Sequence, residues 1–226
     1  MKQVNVEVWS DFVCPWCWIA KRRFEKAAWS LKGRIEISVV PRAYRLAKDV
    51  APTDFEQVLR RKFGNVAAAE QMMAAVAEHG AAEGLTYNFD TMRFGDTSDV
   101  HALVKSIREP EDRLRIIDRI YQAATTDGID IFDRDVLGSL ARKIGIPEAS
   151  FDFDSPEIAS QIANDELMAN RFANGVPLFV FNDKFHLSGA RDIAVFEKVL
   201  IEAAIEVAEP AEDMTAASCV INGCAI

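Results

Sequence analysis

The sequence predicts an α/β fold whose strands are separated by a long helical stretch. Three observations carry that prediction. Val4, Val6 and Val8 alternate with Gln3, Asn5 and Glu7, the period of a strand with one buried face. Between about residues 49 and 152 the apolar side chains recur at helical spacing. Beyond Asn174-Gly175 strand character returns, in Pro177-Leu178-Phe179-Val180-Phe181 and, across an Asn182-Asp183 turn, in Lys184-Phe185-His186-Leu187.

The elements follow in order. After the first strand, Cys14-Pro15-Trp16-Cys17 opens a helix that runs to about Leu31 and is closed by Gly33. Cys17, Ala20, Phe24, Ala27 and Leu31 form one apolar stripe on it. The stripe turns Cys17 toward the core and leaves Cys14 at the open first turn. Ile35, Ile37 and Val39 make a second strand, stopped by Pro41. Thr53 and Glu56 have the spacing of a capping box. Helices are predicted over 66–82, 98–108, 110–126 and 133–144. Ser155-Pro156 starts another, with serine as cap and proline at the first helical position, running to about Asn170. A last helix begins near Ala190 and reaches about Ala208, and the residues from 209 to 226 form a small, polar, flexible tail.

Composition narrows the function. Among 226 residues, 26 are Lys or Arg and 35 are Asp or Glu, a net charge of −9 that argues against nucleic acid or an anionic membrane as partner. No apolar run approaches the ~20 residues that span a bilayer. The first residues enter strand alternation without a secretory signal pattern, so the expected setting is the cytoplasm. Four cysteines are too few for a disulfide scaffold in a chain of this size. Paired cysteines in a reducing compartment read as redox or metal sites.

The chemistry centres on Cys14 and Cys17. Two thiols at this spacing can close a small reversible disulfide, and the dipole of the helix N-terminus favours the thiolate of the first. A free cysteine titrates near about 8.5, and a CxxC motif at a helix N-terminus brings it to roughly 3.5–7.5. Cys14 is therefore placed to attack and Cys17 to resolve, while Pro15 and Trp16 set the turn and the exposure of the sulfur. Cys219 and Cys224, joined across Asn222-Gly223, are a second pair. They are candidates for an internal relay to Cys14 and Cys17, or a dispensable oxidation-prone tail. A zinc site joining both pairs fits the spacing poorly. His101 falls on an amphipathic helix and reads as a structural histidine, with reach toward the thiols as the sharper reading. His79, His101 and His186 are too scattered for a metal motif, and no bound metal is expected. Lys21, Arg22 and Arg23 read as a solvated face, and Met72-Met73 as core packing.

The chain resembles the DsbA-like branch of the thioredoxin superfamily, in particular its FrnE-like members. The resemblance rests on Trp9-Ser10-Asp11-Phe12-Val13-Cys14-Pro15-Trp16-Cys17, on Gly175-Val176-Pro177-Leu178-Phe179-Val180 and on His186-Leu187-Ser188-Gly189-Ala190. It implies a thioredoxin-like domain, 1–48 with 153–208, interrupted by an all-helical domain over 49–152. It implies as well a cis bond at Val176–Pro177 lying against the CxxC, with the Val176 backbone free to pair with an extended substrate strand. Departures fall in Asp96-Thr97-Ser98-Asp99-Val100-His101, where relatives carry an Asn that is replaced here, and in Arg42-Ala43-Tyr44, where they are more aromatic. Both bear on substrate preference, not on thiol chemistry.

Three functions compete. The leading one is a thiol–disulfide oxidoreductase working on thiol or disulfide groups of proteins and peptides, with an unspecified electron donor or acceptor. It needs no cofactor beyond its own disulfide, with glutathione as a candidate co-substrate. The second is a glutathione-dependent isomerase or transferase of a small aromatic compound; such enzymes hold serine where Cys14 stands. The third is a holdase or zinc-responsive module with an apolar groove around Trp9, Trp16 and Trp18.

Overall fold

The computed structural model describes residues 2–148 and 151–206. The chain runs β1 (Lys2–Ser10), α1 (Pro15–Ser30), β2 (Ile35–Ala43), β3 (Thr53–Asp54), α2 (Phe55–Phe63), α3 (Val66–Ala82), β4 (Arg93–Phe94), α4 (Ser98–Ser106), α5 (Pro110–Thr125), α6 (Arg134–Lys143), α7 (Pro156–Ala169), β5 (Leu178–Phe181), β6 (Phe185–Ser188) and α8 (Ile193–Glu206). No helix among the described residues is long and apolar enough to cross a membrane.

Four strands form one sheet in the order β2-β1-β5-β6. β1 runs parallel to β2 and antiparallel to β5, and β5 and β6 close a hairpin. The hairpin turn places Asn182 at φ 49° and Asp183 at φ 59°, the left-handed conformation that Asn and Asp tolerate best. Pro41 does not end the second strand, which continues to Ala43 with Pro41 opposite Val8. β2 lies at the sheet edge, where a residue without an N–H is admissible.

Two faces of the sheet are covered differently. On one, α1 and α8 bury Val4, Val6, Phe24, Phe179 and Phe196, with the Phe179 and Phe196 rings 4.8 Å apart. On the other, α7 packs near Trp9, Leu178 and Val180, and the Trp9 indole N–H donates to the Asp165 carbonyl at 2.7 Å. α8 begins at Ile193, later than expected. Before it, the Gly189 N–H is bound to the Pro177 carbonyl at 2.8 Å, and the Ala190 carbonyl accepts from Arg23 at 2.8 Å.

The helical stretch carries the expected helices and one addition. β3 and β4 pair as a two-stranded ribbon that periodicity does not announce. Thr53 is drawn into that ribbon, so the cap of α2 moves one residue along, and the Asp54 carboxylate accepts from the Gln57 N–H. Asp133 caps α6 and Ser155 caps α7. α1 is divided between two cores. Ala20, Phe24, Ala27 and Leu31 join the sheet core, whereas Cys17, Trp18 and Ile19 join a second core built by Leu103, Ile116, Ile120, Tyr121 and Leu137. The CPWC turn therefore sits in the seam between the sheet and the helical stretch.

Candidate functional site

Cys14 occupies the N-cap of α1 in an extended conformation, and Pro15 takes a first-turn position whose missing N–H costs the helix nothing. The Cys14 N–H donates to the Asp11 carbonyl at 3.1 Å, and the Cys17 N–H to the Cys14 carbonyl at 3.1 Å. Both thiols are free. The Val176–Pro177 peptide is cis, and the Val176 carbonyl lies 4.0 Å from Cys14 Sγ. Pro177 supplies no N–H at this point, so the Val176 backbone is what faces the sulfur.

Cys14 is not at an open turn, as its place in the helix suggests, but only 7% exposed. Part of its cover comes from distant chain: Val176 packs against the buried cluster that includes both cysteines, as does the adjacent Trp16. Cys17, 2% exposed, faces the core as its stripe position predicts. Burial, and after it the neighbouring Cys14 sulfur, push the Cys17 thiol well above its ordinary range. Cys17 is thus the thiol held protonated.

The carboxylate nearest in sequence to the pair was missed by sequence reasoning. Asp11 stands three residues before Cys14 and is fully buried. Its oxygens accept from the Leu46 N–H at 2.6 Å, the Thr97 hydroxyl at 2.8 Å and the Val13 N–H at 3.4 Å. Its carbonyl also accepts from the Tyr121 hydroxyl at 3.3 Å. Burial raises its carboxyl to about 6, against the lowering pull of those donors. Thr97 stands at the N-cap of α4, yet its hydroxyl makes no cap bond because it is turned to Asp11. The only signal for Asp11 was its place in the motif; its partners lie far along the chain. Tyr87 was missed as well: its hydroxyl donates to the Pro15 carbonyl at 2.9 Å.

His101 is buried with no thiol among its partners. Its Nε2 lies 3.3 Å from the Tyr44 carbonyl, a pure acceptor, so that nitrogen carries the proton. Its ring packs on Phe12 at 5.2 Å. Burial first, then Lys105, bring it down to about 3, and it is neutral.

Two readings of exposed chemistry are corrected. Arg23 is not on a solvated face: it is buried, and its guanidinium binds Glu83 Oε1 at 2.8 Å and the Ala190 carbonyl. Lys21 and Arg22 are tied to Glu25 and Asp118. The helical stretch supplies Glu83 and Asp118, and pairing with them draws Arg23 and Lys21 from the surface while Arg22 stays partly exposed. The tryptophan groove is also absent, since Trp9 and Trp18 are buried in separate clusters and only Trp16 is partly exposed. Met72 and Met73 pack against buried residues. Cys219 and Cys224 lie outside the described residues. Among the described residues, no three His, Cys, Asp or Glu side chains are grouped to hold a metal ion.

A family model for the DSBA-like thioredoxin domain matches residues 5–201. A crystal structure of a probable DsbA oxidoreductase from Streptomyces coelicolor is similar over 99% of both chains, with 29% identity and a TM-score of 0.84. The cytosolic disulfide reductase DsbM from Pseudomonas aeruginosa, solved with GSH, covers 90% of this chain and 96% of its own at 18% identity, with a TM-score of 0.61. The uncharacterized protein YwbO of Bacillus subtilis (strain 168) is 25% identical over 204 residues, 87% of this chain and 96% of its own.

Proposed function

The chain belongs to the family of DSBA-like thioredoxin domains, and on that premise we propose that it is a thiol–disulfide oxidoreductase working through Cys14 and Cys17. The observation that supports this best is the asymmetry of the pair: Cys17 is held protonated in the core while Cys14 meets the Val176 backbone. In the reducing direction, the Cys14 thiolate attacks one sulfur of a substrate disulfide. A mixed disulfide forms and one substrate thiolate leaves. Cys17 then gives up its proton and attacks Cys14 Sγ, releasing the second substrate thiol. The chain ends as the Cys14–Cys17 disulfide, oxidised by two electrons, and the substrate is reduced by two. Oxidation of a dithiol substrate is the same path reversed.

Substrates in this reading are protein or peptide thiols and disulfides, laid as an extended strand against Val176 beside Pro177, with Pro15 and Trp16 tuning the sulfur. The thiol-bearing unit spans 1–48 with 153–208, and 49–152 is inserted in it. In this reading Cys219 and Cys224 stand as candidates for an internal relay or as a dispensable tail, and the setting is the cytoplasm. The intact second cysteine speaks against the isomerase reading.

Reduction of a peptide disulfide by the dithiol form tests the proposal. Cys14→Ser is expected to abolish turnover, and Cys17→Ser to accumulate the mixed disulfide, visible by mass. Full activity in Cys14→Ser overturns it.

A further inference from the structure

His79 lies on the last turn of α3, exposed, with its ring 5.4 Å from that of Trp16 inside the CPWC turn. Its place there is fixed from several sides. Gly80 lets the Tyr87 ring come in so closely that a Cβ would meet it at 2.4 Å, and the Tyr87 hydroxyl is bonded to Pro15. The end of α3 is thereby seated on the thiol-bearing turn.

The geometry also assigns the ring's tautomer. His79 Nδ1 lies 3.2 Å from Arg23 Nη2. A guanidinium only donates, so Nδ1 must be the bare acceptor nitrogen and the ring proton sits on Nε2. Arg23 cannot turn away easily, since it is buried and also held by Glu83, by the Ala190 carbonyl and by Asp192 at 3.4 Å. Glu83 is itself held by Lys26 at 2.7 Å. Arg23 and Glu83 are thus held in place, and among the described residues the Nε2–H of His79, on the exposed ring beside Trp16, meets no acceptor.

We propose that His79 is a specificity-determining residue whose Nε2–H donates to a main-chain carbonyl of the peptide flanking the disulfide that Cys14 attacks. It rests on the function proposed above. It names the substrate class more narrowly: a disulfide within a polypeptide, held by the Val176 backbone on one side and by His79 on the other. A small disulfide without peptide carbonyls has nothing for this donor to grasp.

The test compares a cystine-bridged peptide with cystamine, whose ammonium groups only donate, measuring kcat and KM for each with the full chain. In His79→Ala the ratio of kcat/KM for peptide over small disulfide is expected to fall about three- to tenfold, the range of one neutral hydrogen bond, mainly through KM. His79→Gln, which retains an N–H donor, is expected to recover most of it. The Cys14–Cys17 potential, read by thiol counting in glutathione buffers, is expected to match wild type. An unchanged ratio in His79→Ala overturns the inference, as does an equal loss for both substrates with a shifted potential, which would mean that His79 acts through Trp16. Wild-type turnover that survives Cys14→Ser removes the underlying function instead, and the inference with it.

Discussion

Two buried carboxylates in this protein are satisfied by opposite means. Asp165, behind the sheet on α7, is met by two cations: Arg42 Nη1 at 3.1 Å and Lys105 Nζ at 2.5 Å, with the Ala43 N–H at 2.9 Å. Asp11, beside the thiols, is met by two amides and a hydroxyl, with the neutral His101 ring 4.0 Å away. Charge answered only by dipoles stays free to take up a proton, and this one does so close to neutral pH. The difference separates a group that holds helix to sheet from one whose charge can change beside the two thiols.

Removing Asp165 should break the comparison most heavily. Asp165→Ala leaves Lys105 buried without its anion, and about 3–5 kcal/mol of stability should be lost at neutral pH. Urea unfolding measures this, and the thiol–disulfide equilibrium of the folded protein should remain as in wild type.

Asp11→Asn should have a smaller effect, and one that varies with pH. The folded carboxyl titrates at about 6 and its ordinary value is 3.8, so between these the native state holds the extra proton. Its contribution to stability is full below 3.8 and lost as pH rises through 6, about 3 kcal/mol in all. His101 runs the other way. Its value falls from 6.5 to about 3, so its contribution is full above 6.5 and lost as pH falls toward 3. The two slopes oppose each other in wild type between about 4 and 6. Asp11→Asn should uncover the histidine slope, making stability rise more steeply with pH over that window. A variant with the wild-type slope would show that Asp11 does not titrate there.

Thr97→Val sharpens the contrast at the smallest scale. It removes one neutral donor from Asp11, should cost about 1 kcal/mol, and should move the Asp11 inflection upward. NMR titration of the Asp11 carboxyl would follow it directly.

Most of the framework was legible because it is written locally. The valine alternation of β1, the Ser155-Pro156 start of α7 and the Asn182-Asp183 turn each depend on neighbours in sequence. The candidate site was legible as far as the CPWC spacing reaches. The cover over Cys14 comes from Val176, and the burial of Arg23 from Glu83, which no periodicity could relate to α1. Asp11 shows the same limit: its place before Cys14 is plain, but Leu46 and Thr97 meet it only once the chain has folded.

The sheet order has a consequence for how the protein comes into being on the ribosome. β1 is hydrogen-bonded to β5, and every helix from α2 to α7 is made between them. Cys14 and Cys17 are synthesised well before the Val176 wall that faces Cys14. During translation the thiols are therefore present without their shelter. Cooperative assembly of the sheet must wait for β5 and β6, and the cysteine pair acquires its native surroundings only then.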